Sequence, residues 1–324
     1  MNASPFFVAQ RPQPSVVNHL PVANPFNLEV TVRLLQRRPA NRVDHWEDGR
    51  YLRAFQTAEG PRLVTLVNTG TVDVPDVRLE ILGDAVSEDT ARDVTETVRW
   101  MLGCDADPAP TAWLAEMEPR FGAVAAALRG FRPPCFPTLF ETCASVLPFQ
   151  QFSLDAGTAI VGRLIERFGP SLTIADRAWF AFPSPEAVAE APVAALRNVG
   201  LSQAKAVALQ ALARHALAED LNAAHYQSLP TGVALKELEA LPGIGPWSAG
   251  LILLRGLRRM EIFPAGDVGA ARNLPALLGL AASWSPEDAS AFADRFADRR
   301  GYLYFLGLGA QLLSRGFITP ADQH

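Results

Sequence analysis

Asp267 is the carboxylate with the best-defined chemical setting in this chain. It follows Phe263-Pro264-Ala265-Gly266, a loop that ends the preceding segment. It precedes Val268-Gly269-Ala270-Ala271-Arg272, which reads as the start of a helix. An Asp there caps the helix, worth about 1 kcal/mol. The positive helix end favours its charged form and holds it in one rotamer. A fixed carboxylate can also stabilise a cation that develops in a transition state. Upstream lies Leu241-Pro242-Gly243-Ile244-Gly245-Pro246-Trp247-Ser248-Ala249. No helix runs through it, because proline lacks an amide donor and glycine favours turns. Leu235, Leu238 and Leu241 recur at helical spacing before it, and Ser248 to Leu257 is small and apolar after it. The reading is helix, tight hairpin, helix. Gly243 and Gly245 permit positive φ and let a partner touch the backbone. The free amides that follow, at Trp247 and Ser248, suit a phosphate. Arg272, one turn past Asp267, and Lys205, at the start of a helical pattern, are the best-placed cations for the same anion.

The elements that position these residues fall into two groups. Residues 1–25 hold several prolines and asparagines and read as a disordered or loosely packed lead. Residues 26–106 read as a small antiparallel α+β domain. In it Leu28, Val30, Val32 and Leu34 alternate with Glu29, Thr31 and Arg33 as a strand would, and short strand candidates lie at 49–57, 62–71 and 77–82. Ser87 caps a helix running to Leu102. From 107 to 324 the strand signal vanishes and helical segments separated by Gly, Pro and Ser succeed one another, so this part reads as an all-α region of two subdomains.

Composition narrows the function further. The chain has 324 residues, of which 49% are hydrophobic, enough for substantial cores. No apolar run reaches the ~20 residues of a membrane helix. Cys104, Cys135 and Cys143 fit neither a disulfide framework nor a metal set, so the expectation is a reducing cytoplasm and core thiols. His45, His215 and His225 show no ligand spacing. The net charge of −5 argues against coating nucleic acid by charge alone. It is compatible with gripping a few phosphates through backbone amides.

Leu241 to Ala249 followed by Asp267 resembles the helix–hairpin–helix, Gly/Pro-rich loop and catalytic Asp of the DNA glycosylase superfamily. Ile244-Gly245-Pro246-Trp247-Ser248-Ala249 is similar to the 3-methyladenine DNA glycosylase II (AlkA-type) branch, as is the strand-rich start before a helical body. The resemblance spans about 26–317 and is strongest over 235–275. It implies a monomer that binds double-stranded DNA, flips a damaged nucleotide out of the stack, and uses Asp267 to assist cleavage of the base–sugar bond. Bifunctional relatives carry a lysine nucleophile where this chain has Trp247, so the resemblance implies base release without strand nicking. Gln150-Gln151-Phe152-Ser153 matches the segment that fills the gap left by the flipped nucleotide, with Gln151 as the wedge. Trp247 and Leu251 fall on base-pocket positions. Relatives often carry aromatics at the positions of Leu251 and Arg299, so the aromatic clamp is thinner here and the lesion range stays open. No cofactor is implied, and no iron–sulfur cluster, since no cysteine follows Cys143. A sodium or potassium ion on the main-chain carbonyls of Glu239, Leu241 and Ile244 is the one metal the resemblance suggests. Two other readings remain: a glycosylase for oxidised or deaminated bases, and a non-catalytic helix–hairpin–helix DNA-binding protein.

Overall fold

The computed structural model describes residues 14–281 and 283–321. The N-terminal part contains β1 (Pro14–Leu20), α1 (Leu28–Gln36), β2 (His45–Glu47), β3 (Arg50–Thr57), β4 (Gly60–Asn68), β5 (Val77–Leu82) and α2 (Glu88–Leu102). Its strands form one antiparallel sheet in the order β1-β5-β4-β3-β2. The second part comprises α3 (Pro110–Met117), α4 (Gly122–Ala127), α5 (Leu139–Val146), α6 (Leu154–Phe168), β6 (Ser171–Ile174), β7 (Arg177–Phe180), α7 (Pro185–Glu190), α8 (Val193–Asn198) and α9 (Gln203–Leu217). It continues through α10 (Ala223–Ser228), α11 (Thr231–Glu239), α12 (Pro246–Leu257), α13 (Val268–Leu277), α14 (Pro286–Ala293) and α15 (Gly301–Ser314). The architecture is thus a small sheet-containing domain followed by a mostly helical body.

Three sequence expectations are corrected. The segment at 28–34 is the helix α1, not a strand. Leu28, Val32 and Leu35 pack in the core under the sheet, while Val30 and Leu34 pack in the core of the helical body. Both sets have helical spacing. A helix buried on two opposite faces therefore imitates the period-two alternation of a strand. Asn27 caps it, its side-chain oxygen accepting from the Val30 amide at 3.0 Å, and the Thr31 hydroxyl donates to the Asn27 carbonyl at 2.8 Å. Second, residues 14–20 of the supposed loose lead are strand β1, paired with β5, and Leu20 is buried. Residues 1–13 lie outside the described residues. Third, the body is not purely helical. The β6–β7 hairpin packs Ile174 and Trp179 against Leu52, Ala54, Leu63 and Leu82 of the sheet. That hairpin is too short to show a periodic signal.

The two parts are joined by a buried ion network as well as by α1. Arg53 on β3 donates to Asp44 at 2.8 Å and to both oxygens of Glu141 on α5 at 2.6 and 2.7 Å. The Tyr51 hydroxyl donates to Asp44 at 2.7 Å. Burial disfavours the Arg53 cation, but the Glu141 and Asp44 carboxylates outweigh that and raise its pKa. Removing the cation leaves two buried carboxylates facing each other. Arg53→Met is expected to cost roughly 3–5 kcal/mol of stability, read from the urea midpoint. A midpoint equal to wild type would show the network to be dispensable.

Candidate active site

Asp267 and Trp247 are brought together as the sequence suggested. Asp267 caps α13: one carboxylate oxygen accepts from the Ala270 amide at 2.7 Å. The other accepts from the Trp247 indole N–H at 3.0 Å. Both residues are half-buried and line a cavity of about 850 Å³. The cavity is large enough for a purine and its sugar, being within the range of small-molecule sites. Leu251, one turn along α12 from Trp247, is buried in its wall.

The hairpin sits at the cavity edge, and its two glycines play different parts. Gly243 has φ +75°, and a Cβ there would lie 2.7 Å from the Ala208 Cβ. That glycine is demanded by the fold. Gly245 has φ −104°, and among the described residues a Cβ there meets nothing within 4 Å. Its lack of a side chain leaves the backbone and the amides of the α12 N-terminus open to a partner. Ser248 is buried, and its hydroxyl accepts from the Gln150 side chain at 2.9 Å. Its backbone amide lies in the first turn of α12, where an amide has no partner within the helix. The same Gln150 side chain donates to the Gly243 carbonyl at 2.7 Å. Gln150 therefore splints the hairpin to the loop before α6, a role the sequence did not announce.

Gln151 follows in that loop with φ +60° and is exposed at the cavity rim beside Phe152. A left-handed backbone at a non-glycine residue is strained, and here it pushes a side chain outward, as a wedge requires. Lys205 is not free for phosphate. Its ammonium donates to the Gln150 carbonyl at 2.5 Å and lies 4.4 Å over the Phe152 ring. It supports the loop from below, and partial burial lowers its pKa. Arg272 is exposed on α13 at the rim and remains a phosphate candidate. Arg299 is placed outside the cavity lining, 3.5 Å from Asp107 and stacked at 5.0 Å over Trp113. Arg258 and Arg259 donate to backbone carbonyls of Pro133, Tyr226 and Leu229, which makes them structural.

The thin aromatic clamp expected from Leu251 and Arg299 is compensated from elsewhere. Phe136, Phe149 and Tyr304 line the cavity from a loop before α5, a loop before α6 and α15. Sequence reasoning missed them because they are distant in the chain. It also missed Arg37 and Arg255. Arg255 is buried in the otherwise apolar run of α12, donating to the Leu34 carbonyl at 3.0 Å and stacking 5.0 Å from the Phe136 ring. A cation inside so apolar a run was the available signal. Arg37 caps the end of α1 and hydrogen-bonds the Tyr304 hydroxyl. Burial, and then the nearby Arg255, push its pKa down to about 10, so it remains charged at neutral pH.

A capped carboxylate, an indole holding it and an open Gly-x-Gly hairpin on one cavity roomy enough for a nucleotide base are the parts of a helix–hairpin–helix DNA glycosylase. The chain belongs to the HhH-GPD superfamily of base excision DNA repair proteins: residues 144–297 match that family, and residues 17–136 match the AlkA N-terminal domain. It is 24% identical over 280 residues to the DNA-3-methyladenine glycosylase 2 of Escherichia coli, covering 86% of this chain and 92% of that protein. It is 32% identical over 254 residues to a Mycobacterium tuberculosis protein described as a probable bifunctional transcriptional activator/DNA repair enzyme AlkA. That match covers 77% of this chain and 48% of the mycobacterial protein. The solved 3-methyladenine DNA-glycosylase from Archaeoglobus fulgidus superposes with a TM-score of 0.76 at 23% identity, covering 92% of this chain and 99% of that one, which establishes the fold.

The glycines give a prediction. Gly245→Ala should keep the wild-type melting temperature while weakening duplex binding about tenfold or more, through steric loss of amide–phosphate contact. Gly243→Ala should instead lower the melting temperature. Thermal unfolding and duplex titration of both variants separate the two effects, and a Gly245→Ala protein that binds duplex normally would remove the hairpin from the DNA interface.

Proposed function

We propose that this protein is a monofunctional DNA glycosylase that releases alkylated purines of the 3-methyladenine type in base excision repair. The observation that carries the reading is the Asp267 carboxylate, pinned by Ala270 and Trp247 at a cavity large enough for a purine and its sugar, beside the hairpin. A target nucleotide leaves the stack and enters the cavity, because the glycosidic bond is out of reach within the duplex. Gln151 fills the vacated place. The C1′–N9 bond breaks, its electron pair departs with the purine, and positive charge develops on the sugar. Asp267 stabilises that charge, and water then adds at C1′. A purine alkylated on a ring nitrogen carries positive charge already and needs little further help to leave.

Absence of lyase chemistry rests on the amine inventory. The chain has two lysines, Lys205 and Lys236. The first is bonded to the Gln150 carbonyl, and the second lies on α11. Trp247 occupies the place where the family's bifunctional members hold their lysine. The protein acts as a monomer on double-stranded DNA. No described helix is long and apolar enough to cross a membrane. The carbonyls of Glu239, Leu241 and Ile244 form the proposed Na⁺ or K⁺ position at the hairpin, since carbonyl oxygens are hard donors. The Leu241 carbonyl already accepts from the Ile244 amide at 3.2 Å, which leaves it one lone pair for an ion. Replacing K⁺ by choline at constant ionic strength should weaken duplex binding, and unchanged affinity would remove the ion.

Asp267→Asn is expected to slow base release from methylated duplex by about 100-fold or more with the fold intact. Borohydride should trap no enzyme–DNA adduct. No release by either protein would leave a DNA-binding protein without catalysis, equal release by both would remove Asp267 from the chemistry, and a trapped adduct would show an amine mechanism.

A further inference from the structure

The buried walls of the cavity hold one polar group with nothing to bond to. Four buried polar side chains line the cavity: Ser145, Ser248, Arg255 and Tyr304. Three are committed. The Ser248 hydroxyl accepts from Gln150 at 2.9 Å, the Tyr304 hydroxyl accepts from Arg37, and Arg255 donates to the Leu34 carbonyl at 3.0 Å. Ser145 on α5 is 7% exposed. Among the described residues its hydroxyl makes no hydrogen bond, and its oxygen is not one of the unpaired polar atoms sealed inside the protein. It therefore opens on the cavity. A helical hydroxyl commonly bonds back to a carbonyl one turn earlier, as Thr142 of the same helix does to Thr138 at 2.7 Å; Ser145 does not. Helix α12 touches both sides of the arrangement. A Cβ on its Gly256 would lie 2.9 Å from the Thr142 hydroxyl, one turn before Ser145, and its Trp247 holds Asp267. The hydroxyl and the carboxylate thus reach one cavity from different walls, α5 and α13.

We propose that Ser145 is a specificity-determining residue whose hydroxyl accepts a hydrogen bond from the exocyclic amine of the flipped base. This rests on the glycosylase reading above and deepens it: the base favoured is an N-alkylated 6-aminopurine. A flat base stacks on the aromatic walls through its faces and presents its polar groups only at its edges. It also strips water from the groups it covers, so an open hydroxyl must be met by one of those edges. Alkylation on a ring nitrogen puts positive charge on the ring and part of it on the amine, whose N–H groups become stronger donors. The Ser145 oxygen meets such a donor with both lone pairs open. No other buried side chain of the wall is so placed: the Arg255 guanidinium only donates, and the Ser248 and Tyr304 oxygens are already engaged. An occupant without the amine leaves Ser145 unpaired in a dry site and binds less well.

The test uses two duplexes that differ in one group: 3-deaza-3-methyladenine opposite thymine, and the same ring with hydrogen in place of the amine. Both bases are uncharged, and a 2′-fluorine on the target sugar blocks release. Affinities are measured for the wild-type protein, Ser145→Ala and Ser145→Cys, each checked by thermal unfolding. Ser145→Ala should lower the ratio of affinities, with amine to without, by about fivefold, the size of one neutral hydrogen bond. Ser145→Cys, of similar shape but a weak acceptor, should lower it to the same degree. Ser145 is removed from base recognition if the ratio is unchanged in Ser145→Ala, whether the two affinities hold or fall together. It is a packing residue only if Ser145→Cys keeps the wild-type ratio. Base release from a methylated duplex is scored separately. Release of no base by the wild type would sink the glycosylase reading, while the affinity ratio would still judge Ser145.

Discussion

Two hydrogen bonds to one carboxylate set the requirements for much of this molecule. Asp267 is held by an amide of its own helix and by the indole of Trp247 on another. The first bond is local and follows from the Asp-x-x-Ala order at a helix start. The second is not local. It demands that the start of α12 stand beside the start of α13. Trp247 in turn is placed by the hairpin, which cannot close without Gly243 against Ala208 and is splinted by Gln150. Gln150 is itself held by Lys205 on α9. The carboxylate is thus the end of a chain of short-range contacts that runs through three separate segments.

The same logic gives the N-terminal domain a function. It is not an appendage to a self-sufficient helical body. Its helix α1 lies in both hydrophobic cores and carries Arg37 into the cavity wall. The Leu34 carbonyl of that helix also fixes Arg255. The Arg53–Glu141 pair then locks the sheet to α5, so that the wall cannot drift away from the rest of the site. Both parts thus supply charge to the cavity lining: Asp267 from the helical body and Arg37 from the N-terminal domain.

The hairpin, the Asp267 cap and the helix α12 were legible because each is a local signal: a Gly/Pro cluster, a capping residue, an apolar run. Those residues, with the strand-rich start of the chain, carried the resemblance that pointed to the class of protein. What the sequence hid was long-range. Phe136, Phe149 and Tyr304 reach the cavity from distant segments, and nothing local marks them. Helix α1 was misread for a physical reason, since burial on two faces erases the amphipathic stripe that identifies a helix. With that helix misread, Arg37 at its end had no place in the site. Lys205 shows the opposite error, a cation assigned to phosphate that the fold spends on the Gln150 carbonyl.

The central claim is that Asp267 meets positive charge on the sugar. The most direct measurement compares affinity for two duplexes that differ at one site: a neutral tetrahydrofuran abasic analogue, and a pyrrolidine analogue that is cationic where the sugar cation forms. The wild-type protein should bind the cationic duplex more tightly by about 100-fold, and Asp267→Asn should lose most of that difference while binding the neutral duplex as before. Equal affinity of the wild type for both duplexes, or a preference that survives Asp267→Asn, would contradict the account.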